Sequence, residues 1–204
     1  MELGHAASLV LRDLERASGA EVVALAVGDL VAAGAWELAG DLERRHRSDV
    51  APPILVPCNR RPPSEEPLAF VDELLRATPK SKLDGASGRS AADFAALVAA
   101  REPGAREVVD RALDAFVAER LIVRGKPYVI GAFRANAHTR SEWGESLATR
   151  RPPALPREAA IAKAMVADAL TVALRTHAVA ERGERGGNVN GDNVSSAVRY
   201  GLGA

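Results

Sequence analysis

The chain has 204 residues with 27 basic and 27 acidic side chains, so its formal net charge is zero. A balanced chain has no overall field that would hold nucleic acid or an anionic membrane, and any such contact needs a local basic patch. Apolar residues make up 47% of the chain and aromatic residues 4%, which predicts an aliphatic, mostly helical core. The single cysteine, Cys58, excludes a disulfide within the chain and a thiolate metal site.

The sequence predicts a cytoplasmic location. A chain with one cysteine suits a reducing compartment, and the first residues lack the basic region, apolar run and cleavage site of a signal peptide. The most apolar stretch, residues 22–38, contains Asp29, Gly34 and Glu37 and is too short to span a bilayer. If the protein meets a membrane, we expect it to lie on the inner face as a peripheral protein.

The first half of the chain predicts two helices followed by a β-hairpin. Apolar residues recur at helical spacing on both sides of the break at Ser18-Gly19, and Gly34 stands at the C-cap position of the second helix. Short apolar segments then flank the charged residues 41–49, as in a hairpin. The predicted elements are helices over 6–16 and 21–33 and strands over 35–38 and 53–57.

The second half predicts four helices, a loop and a second hairpin. Pro79 ends the first of these helices, and Ser90 is a suitable N-cap for the next. Apolar triplets on either side of a turn at residues 124–127 predict the hairpin. The predicted elements are a helix containing residues 70–75, a loop over 80–88, a helix containing residues 94–98, a helix over 106–120, strands over 121–123 and 128–130, and an alanine-rich helix over 158–179.

Two regions of the chain differ in composition. Residues 1–181 are predicted to form a single mostly helical domain, and residues 182–204, rich in Gly and Asn, a flexible tail. Within the domain, Glu21-Val22-Val23 recurs as Glu107-Val108-Val109 at an offset of 86 residues, and each copy runs from a helix into a predicted hairpin. The predicted fold class is therefore mostly α, a helical domain with two helix–β-hairpin units that look like winged helices.

The sequence offers no clear catalytic, metal or cofactor motif. Its C-terminal glycines are not flanked by a strand and a helix, as a phosphate-binding loop requires. Cys58 is interpreted as an inert thiol rather than as a nucleophile paired with a histidine. The histidines lack metal-ligand spacing, so we expect no zinc site, no cofactor and no enzymatic activity. They are His5, His46, His138 and His177.

Basic clusters are the stronger functional signal. One surrounds the strand over 53–57, and a second lies near Trp143. Guanidinium groups suit contacts with phosphate, which favours an anion-binding surface. Neighbouring acidic side chains leave an ordinary solvated face as the alternative. The first cluster comprises Arg44, Arg45, Arg47, Arg60 and Arg61, and the second Arg134, Arg140, Arg150 and Arg151.

The second predicted hairpin is apolar at Tyr128, Val129 and Ile130. If these side chains are exposed, they predict a contact with a membrane or with another copy of the chain. If they pack on the preceding helix, they belong to the core. Both interpretations stay open at this level.

Four segments carry a resemblance to a known family. Residues 25–38 form an aliphatic helix ending in Ala-Gly and a strand, and residues 66–75 contain Val-Asp-Glu-Leu-Leu. Residues 106–123 run from a helix with Arg, Glu and Leu into a hairpin, and residues 128–140 add an apolar hairpin return and a Thr-containing turn. This order, over residues 20–140, resembles the Golgi phosphoprotein 3-like family and its bacterial, actinobacterial-type relatives.

The resemblance implies a mostly α-helical fold and a peripheral membrane adaptor, which in eukaryotic relatives recognises phosphoinositide headgroups. The family's headgroup-binding tryptophan falls near Leu14, and its arginines fall at Val23, Arg106 and Val109. Since only Arg106 keeps the family's residue type, the resemblance implies the fold without the lipid specificity. The glycine-rich segment after Arg182 also departs from the family.

Two functions fit these observations, with an enzyme of unknown class as a third. The first is a non-catalytic adaptor whose partner is an anionic membrane surface or another protein, with a homo-oligomer as a further option. The second is a tandem winged-helix protein that binds nucleic acid or acts as a regulator, which the zero net charge and the apolar candidate recognition helices disfavour. For lipid or anion binding we select Arg44, Arg45, Arg47 and Arg106.

Overall fold

The computed structural model of the chain is mostly α-helical with small antiparallel sheets, which confirms this part of the predicted fold class. Side chains are described as far as Ala180, apart from those of residues 128–135. The structure describes residues 3–40, 52–60, 63–83, 85–101, 104–125, 128–130, 133–135 and 138–199.

Seven α-helices lie in the described part of the chain, and a 3-10 turn at Leu14–Arg16 extends the first of them. The predicted helices are all present. A further short helix, α6, was missed because its seven residues offer too little apolar periodicity to detect. The helices are α1 (His5–Asp13), α2 (Gly19–Ala32), α3 (Leu68–Ala77), α4 (Ala91–Ala100), α5 (Arg106–Ala118), α6 (Glu142–Ala148) and α7 (Arg157–Arg199).

The strands are short and form one larger and two smaller antiparallel sheets in the described residues. The larger sheet has the order β1-β2-β4-β3, and the smaller ones pair β5 with β8 and β6 with β7. The strands are β1 (Trp36–Ala39), β2 (Ile54–Pro57), β3 (Lys80–Leu83), β4 (Ala86–Arg89), β5 (Ile122–Arg124), β6 (Tyr128–Ile130), β7 (Phe133–Ala135) and β8 (His138–Arg140).

Helix α2 is the centre of the fold. Every residue from 22 to 31 is buried, including Asp29, because α1, α3, α5 and α7 all pack against this helix. A helix that is apolar on all sides needs such an enclosure. At its start Ser18 acts as N-cap, and at its end Gly34 adopts φ +71°, a left-handed conformation that glycine tolerates at a helix C-terminus. After α2, β1 pairs with β2 in antiparallel orientation, which confirms the predicted hairpin pairing.

The prediction of a loop over 80–88 is wrong, because β3 and β4 form a hairpin there. The Asp84-Gly85 dipeptide is a strong hairpin signal, and Gly85 has φ +82°, as such turns require. Neither strand contains a β-branched residue, and the hairpin joins the larger sheet through the pairing of β4 with β2. A Cβ on Gly88 would lie 2.5 Å from the carbonyl oxygen of Leu55, which shows why glycine stands at this close approach.

The second predicted hairpin has different partners. We expected residues 121–123 to pair with residues 128–130, but β5 pairs with β8 and β6 pairs with β7. A local apolar pattern does not specify which strand it pairs with. Next to this pairing, the N-terminal part of α6 packs closely on the residue before β5, because the backbone N–H and the hydroxyl of Ser141 both donate to the carbonyl oxygen of Leu121.

Helix α7 begins where the sequence predicts and packs on α2 and α4. It extends to Arg199 and so enters the segment 182–204, for which the sequence predicts a flexible tail. Residues 200–204 lie outside the described part of the chain. The flexibility of this segment and the division at residue 181 stay predictions.

A buried carboxylate joins the larger sheet to α3. Trp36 Nε1 donates to Asp72 Oδ1 at 2.7 Å, and Arg76 Nε donates to Asp72 Oδ2 at 2.8 Å. The Arg76 guanidinium also lies 5.6 Å from the centroid of the Trp36 ring. Trp36 and Asp72 are both buried. These hydrogen bonds satisfy the indole N–H and both carboxylate oxygens inside the protein.

The sheet is held at a second point by a buried arginine. Arg89 of β4 donates from Nε to the carbonyl oxygen of Leu75 at 3.1 Å and from Nη2 to that of Arg76 at 3.3 Å. These carbonyls belong to the last turn of α3, where the helix dipole is negative. Arg89 therefore caps α3 and fixes β4 against it.

Asp72→Ala is expected to destabilise the protein by about 2–3 kcal/mol, since it leaves the Trp36 N–H buried without an acceptor. Asp72→Asn keeps an acceptor for that N–H and should lose less. Arg76→Ala removes a partner whose side chain is 46% exposed, and an exposed ion pair is worth about 1 kcal/mol or less. Urea unfolding followed by circular dichroism measures all three. An equal loss of unfolding free energy in Asp72→Ala and Arg76→Ala would contradict the greater importance of the buried Trp36–Asp72 hydrogen bond.

Candidate functional site

The N-termini of α2 and α5 meet at the surface. A Cβ on Gly19, the first residue of α2, would lie 2.5 Å from the carbonyl oxygen of Ala105, which precedes α5. Only glycine permits this separation. The two helices therefore begin side by side, although they are far apart in the sequence.

Both helix starts carry backbone N–H groups that have no acceptor within their own helix. In α2, Ser18 Oγ accepts the N–H of Glu21 at 3.5 Å. In α5, Ala105 stands at the N-cap position and no side chain caps the helix. Two partially positive backbone ends thus face the same region.

An open cleft of about 500 Å³ lies at these N-termini. Its cationic or titratable side chains are Arg101, which follows α4, Arg106, the first residue of α5, and His177 of α7. Backbone N–H groups at helix starts and guanidinium groups together suit an anion such as a phosphate group. The other lining residues are Ser18, Gly19, Ala20, Ala99, Gly104, Ala105 and Leu174.

Arg106, which the sequence selected, lies in this cleft. Its Nε donates to Asp110 Oδ1 at 2.9 Å, and its Nη1 donates to the carbonyl oxygen of Glu15 at 2.7 Å. The side chain is still 38% exposed. The guanidinium is therefore held in one position while it stays accessible to a ligand from solvent.

Sequence reasoning missed Arg101 and His177 as members of the same site. Arg101 Nη2 lies 3.5 Å from Glu107 Oε2 and its guanidinium is 5.8 Å from the Phe70 ring centroid, with 43% of the side chain exposed. The helix starts after Ser18-Gly19 and after residue 104 were visible in the sequence. The contact between these two helix starts was not visible, because a local sequence pattern does not specify which helix ends meet.

The remaining predicted site residues stay predictions. The three apolar hairpin residues form β6, which pairs with β7, but their side chains lie outside the described set. Arg60 of the first basic cluster is described and exposed, but the three arginines of that cluster selected for anion binding lie outside the described set. These residues are Tyr128, Val129, Ile130, Arg44, Arg45 and Arg47.

In the second basic cluster, Arg140 serves the fold. Its Nη1 donates to the carbonyl oxygens of Leu11 at 3.2 Å and of Arg12 at 2.6 Å, and its Nε donates to Glu145 at 2.5 Å. The guanidinium thus caps the C-terminus of α1, where a positive charge is favourable. Trp143, beside it in the sequence, is 60% exposed.

Two histidines form carboxylate pairs that hold α1. His5 Nδ1 lies 2.6 Å from Asp29 Oδ1, and its Nε2 lies 2.7 Å from the carbonyl oxygen of Pro153. His138 donates its backbone N–H and its Nδ1 to Glu15 Oε1 at 2.7 and 2.6 Å. Burial alone raises the pKa of Glu15, but hydrogen bonds from its own backbone and from His138 outweigh burial, so the pKa is lowered.

Cys58 has the environment of an inert thiol. It follows β2, and burial raises its pKa above the usual value. The neighbouring carboxylate of Glu37 raises the pKa further by Coulombic repulsion and a hydrogen bond. Because the thiolate is the reactive form, this environment lowers reactivity at neutral pH.

A second, smaller cavity of about 90 Å³ lies beside the start of α1 and is acidic. Asp29, Glu65, Glu66 and Glu119 line it beside apolar residues that include Phe116. Glu66 Oε2 is buried without a hydrogen-bond partner among the described atoms. Burial raises the pKa of Glu66, although the positive charge of Arg111 acts in the opposite direction. This lining is unsuited to an anion.

Comparisons with known proteins leave the family resemblance as a prediction. The chain matches no protein-family model, and neither the curated proteins nor the solved structures gave a match. In the described residues, no three His, Cys, Asp or Glu side chains come together as metal ligands. No helix in the same residues is both long enough and apolar enough to cross a bilayer.

Glu66→Gln is expected to change stability in a pH-dependent way. A carboxyl whose pKa is raised in the folded state stabilises the fold most when protonated, and this contribution is lost as the pH rises through the folded pKa. Gln stays neutral, so the stability of the variant relative to wild type should increase from pH 4 to pH 8. Thermal unfolding across this range measures it. Glu65→Gln, at the neighbouring exposed position, is the control, and the same trend in both variants would contradict burial as the cause.

Proposed function

We propose that this protein is a non-catalytic adaptor that attaches to a phosphate-bearing surface, an anionic membrane first of all, through the cleft at the starts of α2 and α5. One observation carries the proposal: two adjoining helix N-termini share a cleft with Arg101, Arg106 and His177. A second contact through Arg44, Arg45 and Arg47, whose structure is not described, is part of the same proposal.

The charge of the chain supports a local rather than a global attraction. With a formal net charge of zero, binding depends on what the cleft itself presents. Glu107 and Asp110 pair with the cleft arginines and weaken its field. We therefore expect moderate affinity that falls as salt screens the contact.

The resemblance to Golgi phosphoprotein 3-like proteins agrees with the place of the cleft but not with a phosphoinositide-specific pocket. Of the four positions that align with headgroup-binding residues, Arg106 alone keeps its type and lines the cleft. Val23 and Val109 are fully buried at 0% exposure, so they cannot touch a headgroup. The proposed ligand is therefore a phosphate group on a surface, without specificity for one lipid headgroup.

The alternative is a winged-helix-like protein that binds nucleic acid or acts as a regulator. The order α2-β1-β2 supports one such unit, whereas β5 pairs with β8 and weakens the case for a second. A recognition helix must present polar side chains to a groove. In α2, residues 22–31 are buried, and in α5, Val108, Val109 and Ala112 are buried. The adaptor is therefore the proposal we favour.

Flotation with liposomes tests the adaptor. The protein should float with vesicles containing an acidic phospholipid at low salt, and not with phosphatidylcholine vesicles or at high salt. Arg101→Gln and Arg106→Gln should each lower partitioning roughly fivefold, because one cation near an anionic surface contributes about 1 kcal/mol. Circular dichroism of both variants checks that they remain folded.

Arg12→Gln is the matched control, since it removes the same charge from a side chain that is 62% exposed, pairs with Asp13 and lies outside the cleft. It should bind like wild type. Equal loss in the control and in the cleft variants would indicate a nonspecific charge effect. Loss only on replacing Arg44, Arg45 and Arg47 together would move the contact surface away from the cleft, and no flotation in any condition would reject the membrane role.

A further inference from the structure

An apolar groove lies open at the surface between α4 and α7. Small side chains of α4, at Ala92, Ala96 and Ala99, form one wall, and Val172 and Ala173 of α7 are part of the other. The groove encloses about 560 Å³. Small residues of this kind leave room for the side chains of an approaching helix to enter.

The rim of the groove continues as an apolar stripe along α7. Val172 is 65% exposed and Val179 is 69% exposed. Seven residues along a helix return to nearly the same face, so these two valines form one line. Apolar side chains grouped in this way beside a groove mark a surface that another molecule covers.

Two opposite charges flank this stripe. Asp168 and Arg175 are both exposed and are also seven residues apart on α7. That spacing is about 10 Å along the axis, too far for a direct ion pair within the helix. Among the described side chains neither residue takes part in a salt bridge.

We propose that a second copy of this chain covers the groove, with the two α7 helices packed antiparallel about a twofold axis near Val172. This axis places Asp168 of one copy opposite Arg175 of the other, and the same pair occurs again on the far side of the axis. A twofold interface requires a patch that is complementary to itself, and Asp168 and Arg175 on either side of Val172 have this property. Val172 then packs near its own copy, and each α7 enters the alanine-lined groove of the other.

The charges on α7 favour antiparallel over parallel packing of the two helices. A parallel pair of α7 helices would place Asp168 opposite its own copy and Arg175 opposite its own copy, which is repulsive. Of these two arrangements, the antiparallel pair alone places opposite charges together. Ala99 and His177 line both the groove and the proposed anion cleft, but the interface uses neither Arg101 nor Arg106, so the variants that test the two proposals are different.

Sedimentation equilibrium of the full chain tests the dimer. Wild type is expected to show a concentration-dependent monomer–dimer equilibrium. Asp168→Lys and Arg175→Glu should each weaken dimerisation, on the order of tenfold or more, because each places like charges together at both ends of the interface. The double variant Asp168→Lys/Arg175→Glu restores opposite charges and should recover the affinity of wild type to within a few fold.

Val172→Glu should also give a monomer, because it puts like charges at the twofold axis. Val123→Glu is the matched control, since Val123 is an exposed valine, 57% exposed, on β5 and outside the groove. It should dimerise like wild type. A wild-type chain that stays monomeric at all concentrations overturns the proposal, as does a double variant that is no better than the single ones, or equal effects of the two valine substitutions.

Discussion

The rest of the structure depends on the enclosure of α2, a helix whose residues 22–31 are all buried. Neighbouring helices must cover it on every side, and α1, α3, α5 and α7 do so. Because its sides are covered, α2 reaches the surface only at its two ends, residues 19–21 and Ala32. The start of this helix, with Ser18 and Gly19 beside Ala105, is the place where the fold can offer backbone N–H groups to a ligand.

Buried polar groups determine how the covering elements are placed. Asp29, inside α2, accepts the backbone N–H of Ala6 at 3.0 Å and lies 2.6 Å from Nδ1 of His5, and so fixes the start of α1. Asp72 and Arg89 fix the larger sheet against α3 in the same way. Each of these groups would cost free energy if its partner were missing. An aliphatic core with few aromatic residues thus obtains a defined arrangement from a small number of satisfied polar contacts.

The proposed anion cleft and the proposed dimer groove are neighbours. Ala99 and His177 line both of them. Antiparallel packing of two α7 helices would give a particle with two clefts. Two weak contacts with the same surface bind far more tightly than one, provided that both clefts face it.

The sequence by itself determined most of the helices and the first hairpin. Helical periodicity located α2, α5 and the start of α7, and Ser90 was identified as the N-cap of α4, where its hydroxyl accepts two backbone N–H groups. These features depend on residues within a few positions of each other, and local propensity, capping and apolar spacing are sufficient to predict them. The Asp84-Gly85 dipeptide between the residues of β3 and β4 is a local signal of the same kind.

Only the tertiary structure decided which elements meet. The pairing of β5 with β8, the use of Arg140 as a helix cap, and the contact of Gly19 with Ala105 each join residues that are distant in the sequence. Arg106 was selected from the sequence, but Arg101 and His177 became its neighbours only through the packing of α4, α5 and α7 around α2. Such contacts arise from burying apolar surface as a whole, a nonlocal requirement that the residues on either side of a position do not encode.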